Sequence, residues 1–225
     1  GEAAEKALQP ATDYLALSRA LDRPIHAPKP ASPPQPRPPV SARPRKMSIT
    51  EIRTWVRDPY AIYARHLLGL RPLDPADMPP GPRERGTALH DALQHCVERW
   101  VEDVPADAVK ELCDEARRAL TEAGFEPEAL SLEMPRFERA AHWFADWERA
   151  RRKAGRRPAA LEIKGVMTLQ GPAGPWQLSG RVDRLDWGPE GRLETLDYKT
   201  GTAPSSKMVK AGFEPQLPLT AAMAA

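Results

Sequence analysis

The sequence predicts an α/β fold: a small central mixed sheet, led by antiparallel strands within residues 161–199 and flanked by helices. Two observations carry this. Apolar residues recur at helical spacing through most of the stretch between Ile49 and Arg152, and from Leu161 the period switches to two. The breaker-rich segments GPAGP (171–175) and GPEG (188–191) then divide the alternating region into three consecutive antiparallel strands. The 225 residues, 41% hydrophobic and 28% charged, suffice for one substantial domain with appendages.

In order along the chain, residues 2–22 place Leu8, Tyr14, Leu15, Leu17 and Leu21 at roughly helical spacing around Pro10, so residues 1–23 read as the helical remnant of a preceding domain. Residues 24–46 hold nine of the 26 prolines and form an extended linker, whose basic end RPRK reads as solvated chain. The compact domain spans 47–225. Ser48 precedes Glu51 by three positions, a capping box that starts a helix at once. Ile49, Ile52, Trp55 and Val56 mark its apolar face, Asp58-Pro59 breaks it, and Tyr60, Tyr63, Ala64, Leu67 and Leu68 mark a second helix that Gly69 ends. Aromatic residues at this spacing are core more often than platforms for bases. Beyond the Pro-rich segment 70–82, residues 83–103 form a helix with Leu89, Leu93, Val97, Trp100 and Val101 as its buried stripe and His90 beside it. Two further scaffold helices cover 105–126 and 135–154, the second closing on the basic cluster RRKAGRR, where cations suit the helix dipole.

The strand LEIKGVMTL follows, in which Glu162 is a surface charge or an outer ligand. The stretch from Gly180 to Lys199 reads as a hairpin. If its pairing is symmetric about Glu190, Asp183 and Asp197 face each other with Cβ atoms roughly 5 Å apart, a repulsive pair unless a cation compensates. Lys199, two positions after Asp197, shares that face. A polar loop then leads to a helix opening at Gln216, with Pro218 tolerated in its first turn.

Several classes are excluded or disfavoured. No apolar run approaches the ~20 residues of a membrane span, and the opening GEAAEKALQP lacks the regions of a signal peptide, so a cytoplasmic protein without a membrane role is expected. Cys96 and Cys113 are too few for a disulfide framework and read as free thiols. A net charge of +2 argues neither for nor against a polyanionic partner. His90 and His95 are five apart, not the four that sets two zinc ligands on one helix face, and no GxxxxGK[ST] loop occurs. The absence of an initiator Met and the Ala-rich end without a stop signal suggest one region of a longer polypeptide.

The ordered elements RGTALH (His90), GRVD (Asp183), DYK (Asp197, Lys199) and QLPL (Gln216) resemble the PD-(D/E)xK nuclease superfamily, specifically its RecB-like branch, over residues 47–225. The segment RDPYAIYARHLLGL and the linker before it are similar to the C-terminal part of the AddB-type subunit of bacterial double-strand-break repair helicase-nucleases. The resemblance implies a restriction-endonuclease-like core. It implies Asp183, Asp197, His90 and the backbone carbonyl of Tyr198 as metal ligands, Mg²⁺ as the ion with Mn²⁺ as substitute, Lys199 as the group that orients water and stabilises the transition state, and Gln216 as a positioning residue. It also implies an ATP-driven helicase-nuclease partner subunit and cleavage of single-stranded DNA, the 5′-ended strand in this type. Departures are Thr220, where many members carry tyrosine, and Asp58, where relatives with an iron-sulfur cluster carry the first cysteine, so no cluster is expected. The family core adds a parallel strand after the glutamine helix, which these residues are not expected to supply. The competing class is a nuclease-like module that binds DNA without cutting it; retention of both aspartates and the lysine disfavours it.

Overall fold

The computed structural model describes residues 12–23, 30–73, 75 and 77–224, and divides into two compact units, 1–35 and 36–225. In the first, helix α1 spans Thr12–Leu21 and leaves Tyr14, Leu15, Leu17 and Leu21 exposed. The remainder of the helix expected over 2–22, and the start of the linker at 24–29, lie outside the described residues.

The second unit opens with a surprise for the sequence reading. Residues expected to enter a helix directly first form strand β1 (Lys46–Ser48), parallel to a later strand with Met47 opposite Leu178. Three residues are too short for alternation to register, but Met47 is buried and the main chain hydrogen-bonds on into Gln177 N–H, which donates to Arg45 O at 2.8 Å. Ser48 then caps α2 (Ile49–Arg57): the Glu51 amide donates to Ser48 Oγ at 3.2 Å and the Ser48 amide to Glu51 Oε2 at 2.8 Å. Asp58 caps α3 (Pro59–His66) by accepting from the Ala61 amide at 3.2 Å. Burial in this pair rests on Ile49 and Ile62, whereas Trp55, Val56, Tyr60 and Leu68, expected on the inner faces, are exposed.

A helical layer follows: α4 (Pro82–Arg99), α5 (Ala108–Glu122) and α6 (Pro127–Lys153). Their contact surface buries Ala92, Cys96, Leu112 and Leu120, with Phe137 and Phe144 from α6. Helix α6 begins eight residues before the expected 135. Pro127 sits in its first turn, where no amide partner is needed, and Pro135 is carried inside the helix.

The sheet is built on β3 (Gly174–Trp187). Strand β2 (Arg157–Gly171) runs antiparallel along one edge, and the other edge is shared by β1, at 177–179, and by antiparallel β4 (Leu193–Leu196), at 184–187. The sheet is therefore mixed, as expected, with its parallel member coming from the start of the domain. Beyond β4 lie the short helix α7 (Ser206–Lys210) and α8 (Gln216–Ala224). Gly180 allows α2 and α8 to press on the sheet: a Cβ there would stand 2.5 Å from Ile49 Cδ1 and 3.3 Å from Met223 Sδ.

Candidate active site

Strand register assembles three carboxylates in a row. Between β2 and β3, Leu161 faces Arg184 and Ile163 faces Val182, which sets Glu162 across from Asp183. Between β3 and β4, Arg184 faces Leu196, and the next step of that register sets Asp183 across from Asp197. Glu162 adopts a left-handed backbone (φ 52°) inside its strand, a conformation costly for a residue with a Cβ. His90, projecting from α4, brings Nδ1 to 3.5 Å from Asp183 Oδ2. His90, Glu162 and Asp183 each offer one ligand atom, and these atoms lie within 4.8 Å of one another. The Tyr198 amide donates to Asp183 Oδ2 at 2.8 Å.

Asp197 is held from two sides. Gln216, the first residue of α8, donates from Nε2 to Asp197 Oδ1 at 2.7 Å, while Lys199 Nζ stands 2.6 Å from Asp197 Oδ2 and donates to Gln216 Oε1 at 3.5 Å. All five side chains predicted from sequence are thus together. The sixth predicted donor, the Tyr198 carbonyl, belongs to a residue fixed beside the row through its amide. Thr220 is buried in α8 and donates to the carbonyls of Gln216 and Leu217, so it stabilises the turn that carries Gln216.

Electrostatically the row is stressed. Burial pushes the Asp183 carboxyl above its ordinary range and the charge of Asp197 adds to this, against the Tyr198 amide, His90 and Lys199, which pull it down. Glu162 is raised as well, first by burial and further by Asp183, against the pull of Arg181 and His90. Its buried Oε2 is paired with the Arg181 guanidinium. Two carboxylates and an imidazole whose ligand atoms lie within 4.8 Å of one another suit a hard divalent cation, which satisfies several oxygens at once.

The site rests on a buried ionic lattice that strand periodicity does not reveal. Arg184 and Asp186, alternating residues of β3, are 1% and 0% exposed rather than solvated. Arg184 donates from Nη1 to Glu148 Oε2 at 2.8 Å and to the Tyr198 hydroxyl at 3.2 Å, and its Nη2 donates to Asp186 Oδ2 at 2.9 Å. Arg152 holds Glu148 at 2.9 Å, and Arg151 bridges Asp186 and Glu194, each at 2.7 Å. Burial raises the Tyr198 phenol to about 12, so it stays protonated. Its ring packs edge-on against His90 and Phe144, each with centroids 5.8 Å away. One tyrosine thereby ties α4, α6 and the lattice to the backbone segment that bears Asp197 and Lys199.

Glu162 is the residue whose importance sequence reasoning understated. The signal was present: pairing symmetric about the GPAGP turn, which closes with Gly171 opposite Gly174, places Glu162 opposite Asp183 by the same logic that pairs Asp183 with Asp197. A groove of about 840 Å³ opens beside the row and is lined by Asp197, Lys199 and Gln216 together with residues of α6.

The model of one protein family, described as the PD-(D/E)XK nuclease superfamily, matches residues 46–225. Among curated proteins, an uncharacterized protein of Rickettsia bellii is 26% identical over 174 residues, covering 77% of this chain and 21% of the relative. One of Rickettsia conorii is 26% identical over 185 residues, with the same coverage. The chain therefore spans about a fifth of the length of these relatives. No helix among the described residues is long and apolar enough to cross a membrane.

Proposed function

Because the chain belongs to the PD-(D/E)XK nuclease superfamily, we propose that its domain is a Mg²⁺-dependent deoxyribonuclease that hydrolyses single-stranded DNA ends as an exonuclease. The observation that carries the reading is the row Glu162–Asp183–Asp197, with His90 at one flank and Lys199 and Gln216 at the other. His90, Glu162 and Asp183 supply donors for a divalent cation, with Asp197 and the Tyr198 carbonyl adjoining. When bound, the cation lowers the pKa of a coordinated water and stabilises charge on the phosphate oxygens.

The chain's own residues perform the rest. Lys199 is anchored by Asp197 and directs its ammonium at the phosphate, where it orients the attacking water and stabilises the negative charge that builds up before the P–O bond breaks. Gln216 fixes Asp197 through its amide nitrogen while its oxygen faces Lys199, so one side chain sets the spacing of both. Arg184, through Tyr198, keeps this segment in register with Asp183.

The biological setting we infer is the trimming of the 5′-ended strand during double-strand-break repair, in the cytoplasm, as part of an AddB-type subunit with an ATP-driven helicase-nuclease partner. This rests on the resemblance of RDPYAIYARHLLGL and of the ordered motifs. The test is incubation of end-labelled single-stranded DNA with Mg²⁺ and the parent protein, Asp197→Ala or Lys199→Ala. Mononucleotide release from the 5′ label by the parent alone is expected. Equal products from all three would sink the assignment, and retention of DNA by an inert parent would move the protein to the binding-module class.

A further inference from the structure

Helix α6 carries a feature that the chemistry above does not use. Trp143, Trp147 and Arg151 recur every four residues on one face. The two indoles stack with centroids 5.9 Å apart and planes 19° from parallel, and the Arg151 guanidinium lies over Trp147, 4.9 Å from its ring centroid. Arg151 is itself fixed by Asp186 and Glu194. The column is therefore anchored at its Arg151 end in the buried lattice and finishes at its other end in Trp143, which is 64% exposed. Both tryptophans line the groove that also holds Asp197, Lys199 and Gln216.

We propose that the outer face of Trp143 is a stacking platform for a base of an unpaired DNA strand, and that this platform makes the groove select single strands. The inference rests on the nuclease reading for the occupant's identity, and the column adds the recognition element. A planar aromatic stack that is held rigid by an ion-paired arginine and then ends in water lacks one member, and a nucleobase completes it without any new side chain becoming ordered. Base–aromatic stacking is sequence-tolerant, since every base has a π-face. In a duplex those faces are already covered by neighbouring bases except at its two ends, so an intact double strand has little to offer Trp143. Arg136, which has no ion-pair partner among the described residues, lines the same groove two helical turns before Trp143, roughly 10 Å along α6. It is placed to accompany the backbone of a strand running toward Lys199. This charge, and the continuity of the groove with the carboxylate row, favour nucleic acid over a protein partner on this face.

The test uses fluorescence anisotropy of labelled oligodeoxythymidylate in EDTA, so that no cleavage is required. Three probes are compared, the oligonucleotide, an abasic strand of the same length and a blunt duplex, against the parent, Trp143→Ala and Trp143→Phe. Trp143→Ala is expected to weaken oligodeoxythymidylate binding about tenfold, as loss of one stacked base does. Trp143→Phe should restore most of that affinity, and neither change should alter binding of the abasic strand or the duplex. Unchanged binding of oligodeoxythymidylate by Trp143→Ala overturns the proposal and leaves the face to a protein contact; an equal loss on the abasic strand overturns it as well. The nuclease reading fails separately: a parent that binds through Trp143 but releases no nucleotides with Mg²⁺ refutes hydrolysis and keeps the platform. A parent that cleaves while Trp143→Ala binds normally refutes only the platform.

Discussion

Replacing Asp183 with asparagine should make the cation-free protein more stable. The carboxylate of Asp183, 14% exposed, faces Glu162 on one side and Asp197 on the other, and asparagine keeps an oxygen to accept from the Tyr198 amide. Each facing like-charge pair costs a few tenths of a kcal/mol up to about 1 kcal/mol, so removing both should gain roughly 1 kcal/mol, or about 2–4 °C in Tm for a domain of this size. The pH dependence has a definite sign. An unfolded aspartate titrates near about pH 3.9, whereas burial and Asp197 raise Asp183 in the fold. The native state therefore holds this proton more tightly than the unfolded chain, and the parent loses stability as pH rises through the raised value. The advantage of Asp183→Asn should be widest at pH 8 and narrow as pH falls toward the unfolded value. Thermal melts followed by circular dichroism in EDTA at pH 8 and pH 4 measure this. A lower Tm for Asp183→Asn at pH 8 would refute the reasoning, because it would mean that His90, Lys199 and the Tyr198 amide together outweigh the repulsion.

Further outcomes are expected at other positions. Glu162→Gly should raise the Tm in EDTA by relieving about 1 kcal/mol of left-handed backbone strain, yet lose the Tm gain that Mg²⁺ confers on the parent, while Glu162→Gln keeps the strain and also loses the gain; scanning fluorimetry with and without Mg²⁺ reads both. Arg184→Ala leaves Glu148 and Asp186 buried without their shared partner and should cost about 3–5 kcal/mol, lowering the Tm by roughly 10 °C in calorimetry. Gln216→Ala removes the amide that holds Asp197 from its second side and faces Lys199, and should slow the cleavage step by about 10-fold to 100-fold with little change in oligonucleotide affinity, measured by single-turnover kinetics.

Much of this molecule could be read in advance where local chemistry decides structure. The capping box at Ser48, the break at Asp58-Pro59 and the period switch at Leu161 all act within a few residues, and all appear in the fold. The hairpin symmetry about Glu190 gave the true register because a tight turn leaves the strands little freedom to slip. What escaped prediction depends on distant partners. Strand β1 exists because β3 offers it an edge, and α6 runs through Pro135 because packing along its length outweighs one missing hydrogen bond. Arg184 and Asp186 look solvated in an alternating strand; only the arrival of Glu148 and Arg151 from α6 buries them. At the site, the predicted side chains lie near one another, but Asp197 is held by Gln216 and Lys199 and is not grouped with the donor atoms of His90, Glu162 and Asp183, and Glu162 was underweighted because its partner lies across the GPAGP turn.

The buried lattice nearly balances its own charge. Arg151, Arg152, Arg156 and Arg184 are joined to Glu148, Asp186 and Glu194, four guanidiniums against three carboxylates. The surplus sits at Arg156, whose side chain is 30% exposed and screened by water, so the charges that reach Asp183 and Glu162 are those of His90, Lys199 and Arg181. The lattice therefore acts on the row mechanically, by locking α6 to β3 and β4, and leaves the field there to be set by the row's own neighbours.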